Sequence, residues 1–223
     1  MTTRLVESRN HKIIVPQDSQ KFRMNRGDFF VTGSNDPYYL LEAGKAIVYT
    51  KFPKADSKTG FKEVCIGLYS KNSLFGEPLG KVKHPYTKKI RAVSEEAVIR
   101  VIQRGSQIAN PDDRILLIKA SDNDKTTQEN RIALMTQANH LRYKVAWALL
   151  ALTSPGDREV PTSQQIMADL TASTRANVNT ALRGFERSGI LFNNSATYRI
   201  TEPDGVEKLE TILTSMNPHL VPG

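Results

Sequence analysis

The sequence predicts an α+β fold: a strand-rich N-terminal barrel, one long helix and a small helical C-terminal domain. Three observations carry this. Short β-branched and aromatic runs punctuated by turn residues fill positions 11 to about 105. A stretch without Gly or Pro follows from Thr126 to Leu152, and two short amphipathic patterns separated by a tight break occupy residues 163–188. A chain of 223 residues suits two domains better than one. With 39% hydrophobic and 24% charged residues it has material for packed cores and lacks the composition of a disordered chain.

The N-terminal runs HKIIV, FFV, YYLL, AIVYTKF, EVCIGLY and IRAVSEEAVIRVI read as strands. Between them lie the turn signals Asn25-Arg26-Gly27-Asp28, Gly33-Ser34-Asn35-Asp36-Pro37, Gly44, Ser57-Lys58-Thr59-Gly60 and Lys71-Asn72-Ser73. Strands at this regular spacing predict an all-β sandwich or barrel, assigned to residues 1–125.

In the next segment, 126–154, the residues Leu134, Ala138, Leu141, Val145, Ala148 and Leu152 recur at alternating spacings of four and three. That is a heptad seam. A continuous helix here would run about 40 Å at 1.5 Å per residue, which outgrows one small core. The length favours a dimerisation helix whose seam, led by Leu134, Ala138, Leu141 and Val145, packs on a partner chain. A core helix within one chain is the other reading. The run Thr153-Ser154-Pro155-Gly156-Asp157 stops it.

Residues 155–223 form the third segment, and its stretch SQQIMADLTASTRANVNTALRGFERS is the most informative. Ser163 caps a first helix with Ile166, Met167 and Leu170 facing inward, and Thr171-Ala172-Ser173 breaks it. Ser173 or Thr174 then caps a second helix whose apolar positions are Val178, Ala181, Leu182 and Phe185. Small, turn-compatible and core residues at Ala168, Ala172 and Val178 meet the three constraints of a helix-turn-helix; a plain αα-hairpin is the bland alternative. The second helix leaves Ala176, Asn179, Thr180, Arg183 and Arg187 outward, with Thr174, Arg175 and Asn177 in its first turn. Arg175 suits guanine N7 and O6, Asn179 suits adenine N6 and N7, and Arg183 and Arg187 suit phosphates. The strand-turn-strand pattern from Gly189 to Ile200 reads as a wing with Asn193, Asn194 and Ser195 at its tip, and Val206 to Met216 as a closing helix.

Charge sharpens the division. The chain carries 31 Lys and Arg against 23 Asp and Glu, a net of +8, which points to an anionic partner, nucleic acid first. Residues 155–223 hold six basic and eight acidic residues, net −2, while residues 1–154 hold 25 and 15, net +10. DNA reading by the C-terminal segment must therefore rest on arrangement. Enzyme chemistry finds no support: His11, His84, His140 and His219 stand in unrelated contexts, with no HExxH, phosphate loop or nucleophile elbow. One cysteine, Cys65, excludes a disulfide framework and an iron–sulfur site, and its apolar surroundings suit a small core residue better than a haem ligand. No metal site is expected. The N-terminus lacks an apolar signal region and the aliphatic run Val145–Leu152 is too short to span a bilayer, so the expectation is a cytoplasmic protein with no membrane partner.

At this point the residues resemble the cyclic-AMP receptor and fumarate–nitrate regulator (CRP/FNR) superfamily of bacterial transcription factors, across almost the whole chain. Three stretches carry the resemblance: Gly27-Asp28 through Tyr49, Ser73-Leu74-Phe75-Gly76-Glu77, and MADLTASTRANVNTAL from Met167. Ser173-Thr174-Arg175 is similar to the cyanobacterial nitrogen-regulator branch. The resemblance implies a double-stranded β-helix, or jelly roll, of the cyclic-nucleotide-binding kind, followed by a dimerisation helix and a winged helix-turn-helix. It implies a homodimer that sets its recognition helices in the major groove of a two-fold operator on double-stranded DNA, works with RNA polymerase and responds to an effector in the barrel.

The departures bear on the effector. In cyclic-nucleotide binders of the family a Glu holds the ribose and an Arg-Ser pair the cyclic phosphate. Here Glu77 matches the Glu, but Tyr86 and Thr87 stand where Arg and Ser would, so the bidentate phosphate clamp is missing. Glu129 and Asn130 stand where the family has a Thr-Ser pair for the base. The surrounding segment holds Lys81, Lys83, His84, Lys88, Lys89 and Arg91 and no acidic residue between Glu77 and Glu95. A small anionic effector such as 2-oxoglutarate or a nucleotide is one reading, with Gly76, Glu77, Tyr86, Thr87, Lys88, Lys89, Arg91, Glu129 and Asn130 as its candidate contacts. DNA wrapping onto the barrel and solvated loops are others. A regulator that acts by abundance or through protein partners, or one that responds to cyclic AMP, is the alternative. The recognition helix keeps only the first Arg of the cyclic-AMP branch's Arg-Glu-x-x-x-Arg set, so the operator does not carry over.

Overall fold

Side-chain alternation builds the N-terminal sheets. The computed structural model describes residues 3–8, 11–16, 20–32, 38–53, 61–75, 88–102, 115, 119–120, 123–124, 126–128, 130, 132–133, 140–153, 158–160, 163–194, 197–202 and 204–215. They fall into two compact units, Met1–Asn130 and Arg131–Gly223.

In the first unit β1 (Thr3–Ser8) and β2 (His11–Pro16) pair as an antiparallel ribbon. Eight strands follow: β3 (Lys21–Asn25), β4 (Phe29–Val31), β5 (Tyr38–Ala43), β6 (Lys45–Pro53), β7 (Phe61–Ser70), β8 (Leu74–Phe75), β9 (Lys88–Ala92) and β10 (Glu96–Ile102). They make two four-stranded sheets, ordered β3-β10-β5-β8 and β4-β9-β6-β7. Of these eight, the first pairs with the last, the second with the seventh, the third with the sixth and the fourth with the fifth. A long hairpin rolled on itself gives that order, the jelly roll.

The inner faces meet in a core that includes Met24, Leu41, Val48, Ile90 and Ile99. An aromatic chain runs through it: Phe22 to Phe30 at 4.9 Å between ring centroids, Phe30 to Tyr39 at 5.3 Å, Tyr39 to Phe75 at 5.6 Å and Phe75 to Tyr69 at 5.0 Å. These separations suit edge and offset packing. The outer face of the β10 sheet is also buried, in the cross-strand row Arg100, Leu40 and Leu74. Helical residues Ala120, Asp124 and Gln128, spaced by four, are buried while Lys119, Asn123 and Asn130 are exposed. Asp124 Oδ2 accepts the Leu74 N–H at 2.8 Å and so fixes that helical face on the short strand β8.

Several sequence expectations change here. The strands β1, β3 and β8 add to the expected set, and IRAVSEEAVIRVI divides into β9 and β10 around Val93-Ser94-Glu95. The expected turns at Asn25–Asp28, Gly44 and Lys71–Ser73 form, with positive φ at Gly27, Gly44 and Asn72. Those at Gly33–Pro37 and Ser57–Gly60 lie outside the described residues. Helical residues begin by Ile115, ahead of the expected start at Thr126.

The expected single helix from Thr126 to Leu152 is corrected at His140, which is extended (φ −109°, ψ 114°) and caps a separate helix, α1 (Leu141–Leu152). The helix that follows does not bury itself as a seam would. Val145, Ala146, Trp147, Ala148 and Leu149 are all buried, five in succession, where a seam would bury a stripe. This helix packs against three others of its own unit: α2 (Gln164–Leu170), α3 (Arg175–Arg187) and α4 (Gly205–Thr214). Thr153 closes α1 as expected, its N–H bonding Leu149 O at 3.0 Å. A three-stranded sheet, β11 (Glu159–Val160), β13 (Thr197–Ile200) and β12 (Leu191–Asn194) in that order, completes the unit.

Candidate nucleic-acid interface

The helix-turn-helix is set by three local devices. Ser163 Oγ accepts the Ile166 N–H at 3.3 Å and opens α2. At its other end Ala172 takes φ +48°, its N–H bonds Asp169 O at 3.4 Å and the Ser173 N–H bonds Ala168 O at 2.9 Å. That pair of bonds is a Schellman motif with alanine where glycine is usual. Thr174, not Ser173, then caps α3, its Oγ1 accepting the Asn177 N–H at 3.2 Å. Both caps satisfy N–H groups that a helix start leaves without partners.

Helix α3 buries Val178, Leu182 and Phe185, and the Arg142 guanidinium of α1 lies 5.5 Å from the Phe185 ring centroid. Its other face is polar. Thr174, Arg175, Ala176, Asn177, Thr180, Arg183 and Arg187 are exposed, and Asn179 is half-buried. Arg183 and Arg187 make no ion pair among the described residues, so both guanidiniums stand toward solvent. Asn194 is exposed at the wing, as is Asn193; Ser195 lies outside the described residues.

Sequence reasoning missed Gln164. Its Nε2 donates to Asn179 Oδ1 at 3.2 Å and to Tyr198 OH at 2.8 Å, while its Oε1 accepts from Arg175 Nε at 3.4 Å. One amide thus joins both helices of the motif to the wing strand β13. Local pattern gives no hint of it, because the partners lie 11, 15 and 34 residues away. The Asn179 oxygen, expected to meet a base, already accepts one hydrogen bond within the protein, which occupies one of its two lone pairs. Also missed was Phe192, which is 60% exposed on β12 opposite Arg199.

The excess charge belongs largely to the first unit. Adding Arg131, Arg142 and Lys144 to the C-terminal segment gives the unit Arg131–Gly223 nine basic and eight acidic residues, net +1, against +7 for Met1–Asn130.

The effector candidates Gly76, Glu77, Tyr86, Thr87 and Glu129 lie outside the described residues. Asn130 is exposed. On β9, Lys88 shares the parity of the core residues Ile90 and Ala92, and Lys89 and Arg91 share the opposite one. Lys89 Nζ bonds Glu63 at 3.1 Å and lies 4.7 Å from the Phe29 ring centroid, so its charge is compensated. Arg91 Nε is buried without a hydrogen-bond partner. Cys65 is buried as expected of a core residue. Among the described residues no group of three or more His, Cys, Asp or Glu is placed to hold a metal, and no helix is long and apolar enough to cross a membrane.

Of the seam residues, Leu134 and Ala138 lie outside the described residues, Leu141 is half-buried and Val145 is fully buried. Val145 packs inside its own unit, which corrects its assignment to a partner-facing seam.

Residues 143–209 match the family model of the Crp-like helix-turn-helix domain. No curated protein is matched. Among solved structures the chain is similar to TTHB099, a CRP-family transcriptional regulator from Thermus thermophilus, at 20% identity and TM-score 0.65, covering 86% of this chain and 96% of that one. TTHA1359, a CRP/FNR-family transcriptional regulator from the same organism, is similar at 14% identity and TM-score 0.66, covering 87% and 98%. FixK2 from Bradyrhizobium japonicum follows at 15% identity and TM-score 0.64, covering 87% and 96%. At such identities the likeness establishes the fold, and the domain match adds the reading head. Residues 143–209 thus belong to the Crp-like helix-turn-helix family, and the chain has the fold of CRP/FNR-family regulators.

Proposed function

We propose that the chain acts as a homodimer which sets α3 of each copy in successive major grooves of a two-fold operator. The observation that carries this reading is the exposed polar face of α3, with Arg175 in its first turn and Arg183 and Arg187 beyond it. A recognition helix reads bases with its N-terminal outward residues and meets phosphate further along. Arg175 and Asn179 are the base readers; Thr174, Ala176, Asn177 and Thr180 line the same surface; Arg183, Arg187 and Asn194 hold the backbone. Two-fold operators match dimers, and the dimer contact is assigned to Leu134, Ala138 and Leu141, with Val145 given up to the core. RNA polymerase is the partner through which bound dimers act on transcription.

A small anionic effector held by the barrel unit, 2-oxoglutarate or a nucleotide, controls the dimer. The buried Arg91 Nε without a hydrogen-bond partner supports an anion there. The compensated Lys89 and the aromatic chain in the core of the two sheets support the second reading, a regulator that works by abundance. Thermal unfolding with 2-oxoglutarate and cyclic nucleotides separates the two, since a ligand of the native state raises its stability by mass action. Binding to random-sequence DNA tests the operator reading: Arg175→Ala is expected to fold normally and lose sequence preference.

A further inference from the structure

We propose that Gln164 is the positioning residue of the reading head, holding Arg175 and Asn179 in their DNA-reading poses through its one side-chain amide. The inference deepens the proposed function and rests on the assignment of α3 as the reading helix. Gln164 is half-buried at the start of α2, and its three bonds use both amide hydrogens and the carbonyl oxygen. Each bond has a separate effect. The bond from Arg175 Nε restrains a long side chain that otherwise loses rotamer freedom on binding, and leaves the terminal guanidinium nitrogens for a base. The bond to Asn179 Oδ1 turns the Asn179 amide so that its Nδ2 faces away from Gln164. The bond to Tyr198 OH braces the amide against the wing strand, so Gln164 cannot release either reader by rotating freely.

The consequence is coupling: bases read by Arg175 and Asn179 are recognised together, through a residue that need not touch either base. Three variants of the full chain test it, each compared with wild type on selected operators, single-base operator variants and random DNA. Gln164→Met keeps length and helix propensity and removes all three bonds; discrimination at both base positions is expected to fall by about tenfold, within the range a good base contact supplies. Affinity for random DNA stays within about twofold, because phosphate contacts set it. Gln164→Glu keeps the acceptor for Arg175 and removes both donors, so discrimination is retained at the Arg175 position and lost at the Asn179 position. In the Asn179→Ala background, Gln164→Met costs less at the Asn179 position than it does in wild type, the non-additivity expected of contacting residues.

Unchanged discrimination in Gln164→Met, or a loss of random-DNA affinity equal to the loss of operator affinity, overturns the proposal; the second result would make Gln164 a phosphate contact. If Gln164→Met fails to fold, the position-by-position split in Gln164→Glu decides alone. Wild-type protein that selects no sequence instead removes the DNA-reading assignment itself.

Discussion

Arg100 Nε donates to Glu42 Oε1 at 2.5 Å across neighbouring strands of the jelly roll, although the Arg100 side chain is only 2% exposed. Lys21 Nζ reaches the other carboxylate oxygen at 2.6 Å. Burial pushes the Glu42 carboxyl up, but the hydrogen bonds from Lys21 and Arg100 and their charges outweigh it and hold the group below its ordinary value. A carboxylate with a lowered folded-state value contributes stability above its ordinary range and loses it as pH falls through the folded value. Glu42→Gln is therefore expected to cost about 3 kcal/mol at neutral pH, since it takes the counter-charge from a buried guanidinium. In urea titrations the gap from wild type should close as pH drops below about 4. A gap independent of pH would show that the carboxylate charge is not what Arg100 uses.

Ala172 holds the left-handed conformation with an exposed side chain. Such a backbone costs an L residue about 1–2 kcal/mol, partly offset in glycine by chain entropy. Ala172→Gly should raise stability by up to about 1 kcal/mol, and Ala172→Val should lower it. Thermal unfolding reads both.

Thr174 caps α3 through one side-chain bond to the Asn177 N–H. Thr174→Ala should lose about 1 kcal/mol of stability, and Thr174→Asp, which supplies another acceptor, should restore most of it. Equal loss in both variants would assign the effect to packing instead.

Arg183 and Arg187 should separate from Arg175 by salt dependence. Neutralising either one should reduce the slope of log affinity against log salt by about one and leave base preference intact. Arg175→Ala should change base preference. Binding titrations at several salt concentrations distinguish the two behaviours.

The helix-turn-helix is legible in the sequence because its signals are local: the Ser163 cap, the Thr171–Ser173 break and the spacing of Val178, Leu182 and Phe185 all fall within one short segment. β3 is not, since only Met24 of Lys21–Asn25 is buried and its flanking charges hide the strand. β8 has only two residues, too few for any period. The break at His140 is hidden for a different reason: the four-and-three spacing runs through it without Gly or Pro. The continuous burial of Val145–Leu149 is the contrary signal, and VAWALLAL is apolar on every side of a helix. Gln164 is invisible because its partners come together only when the two helices and the wing have folded.

Selection of binding sites for the wild-type chain from random double-stranded DNA, at moderate salt, bears on all of this at once. A dimer reading DNA with α3 should recover two inverted half-sites about 10–10.5 base pairs apart, centre to centre, or a multiple of that spacing. Recovery of no sequence above the starting pool, or of a single half-site bound by one copy, would contradict it.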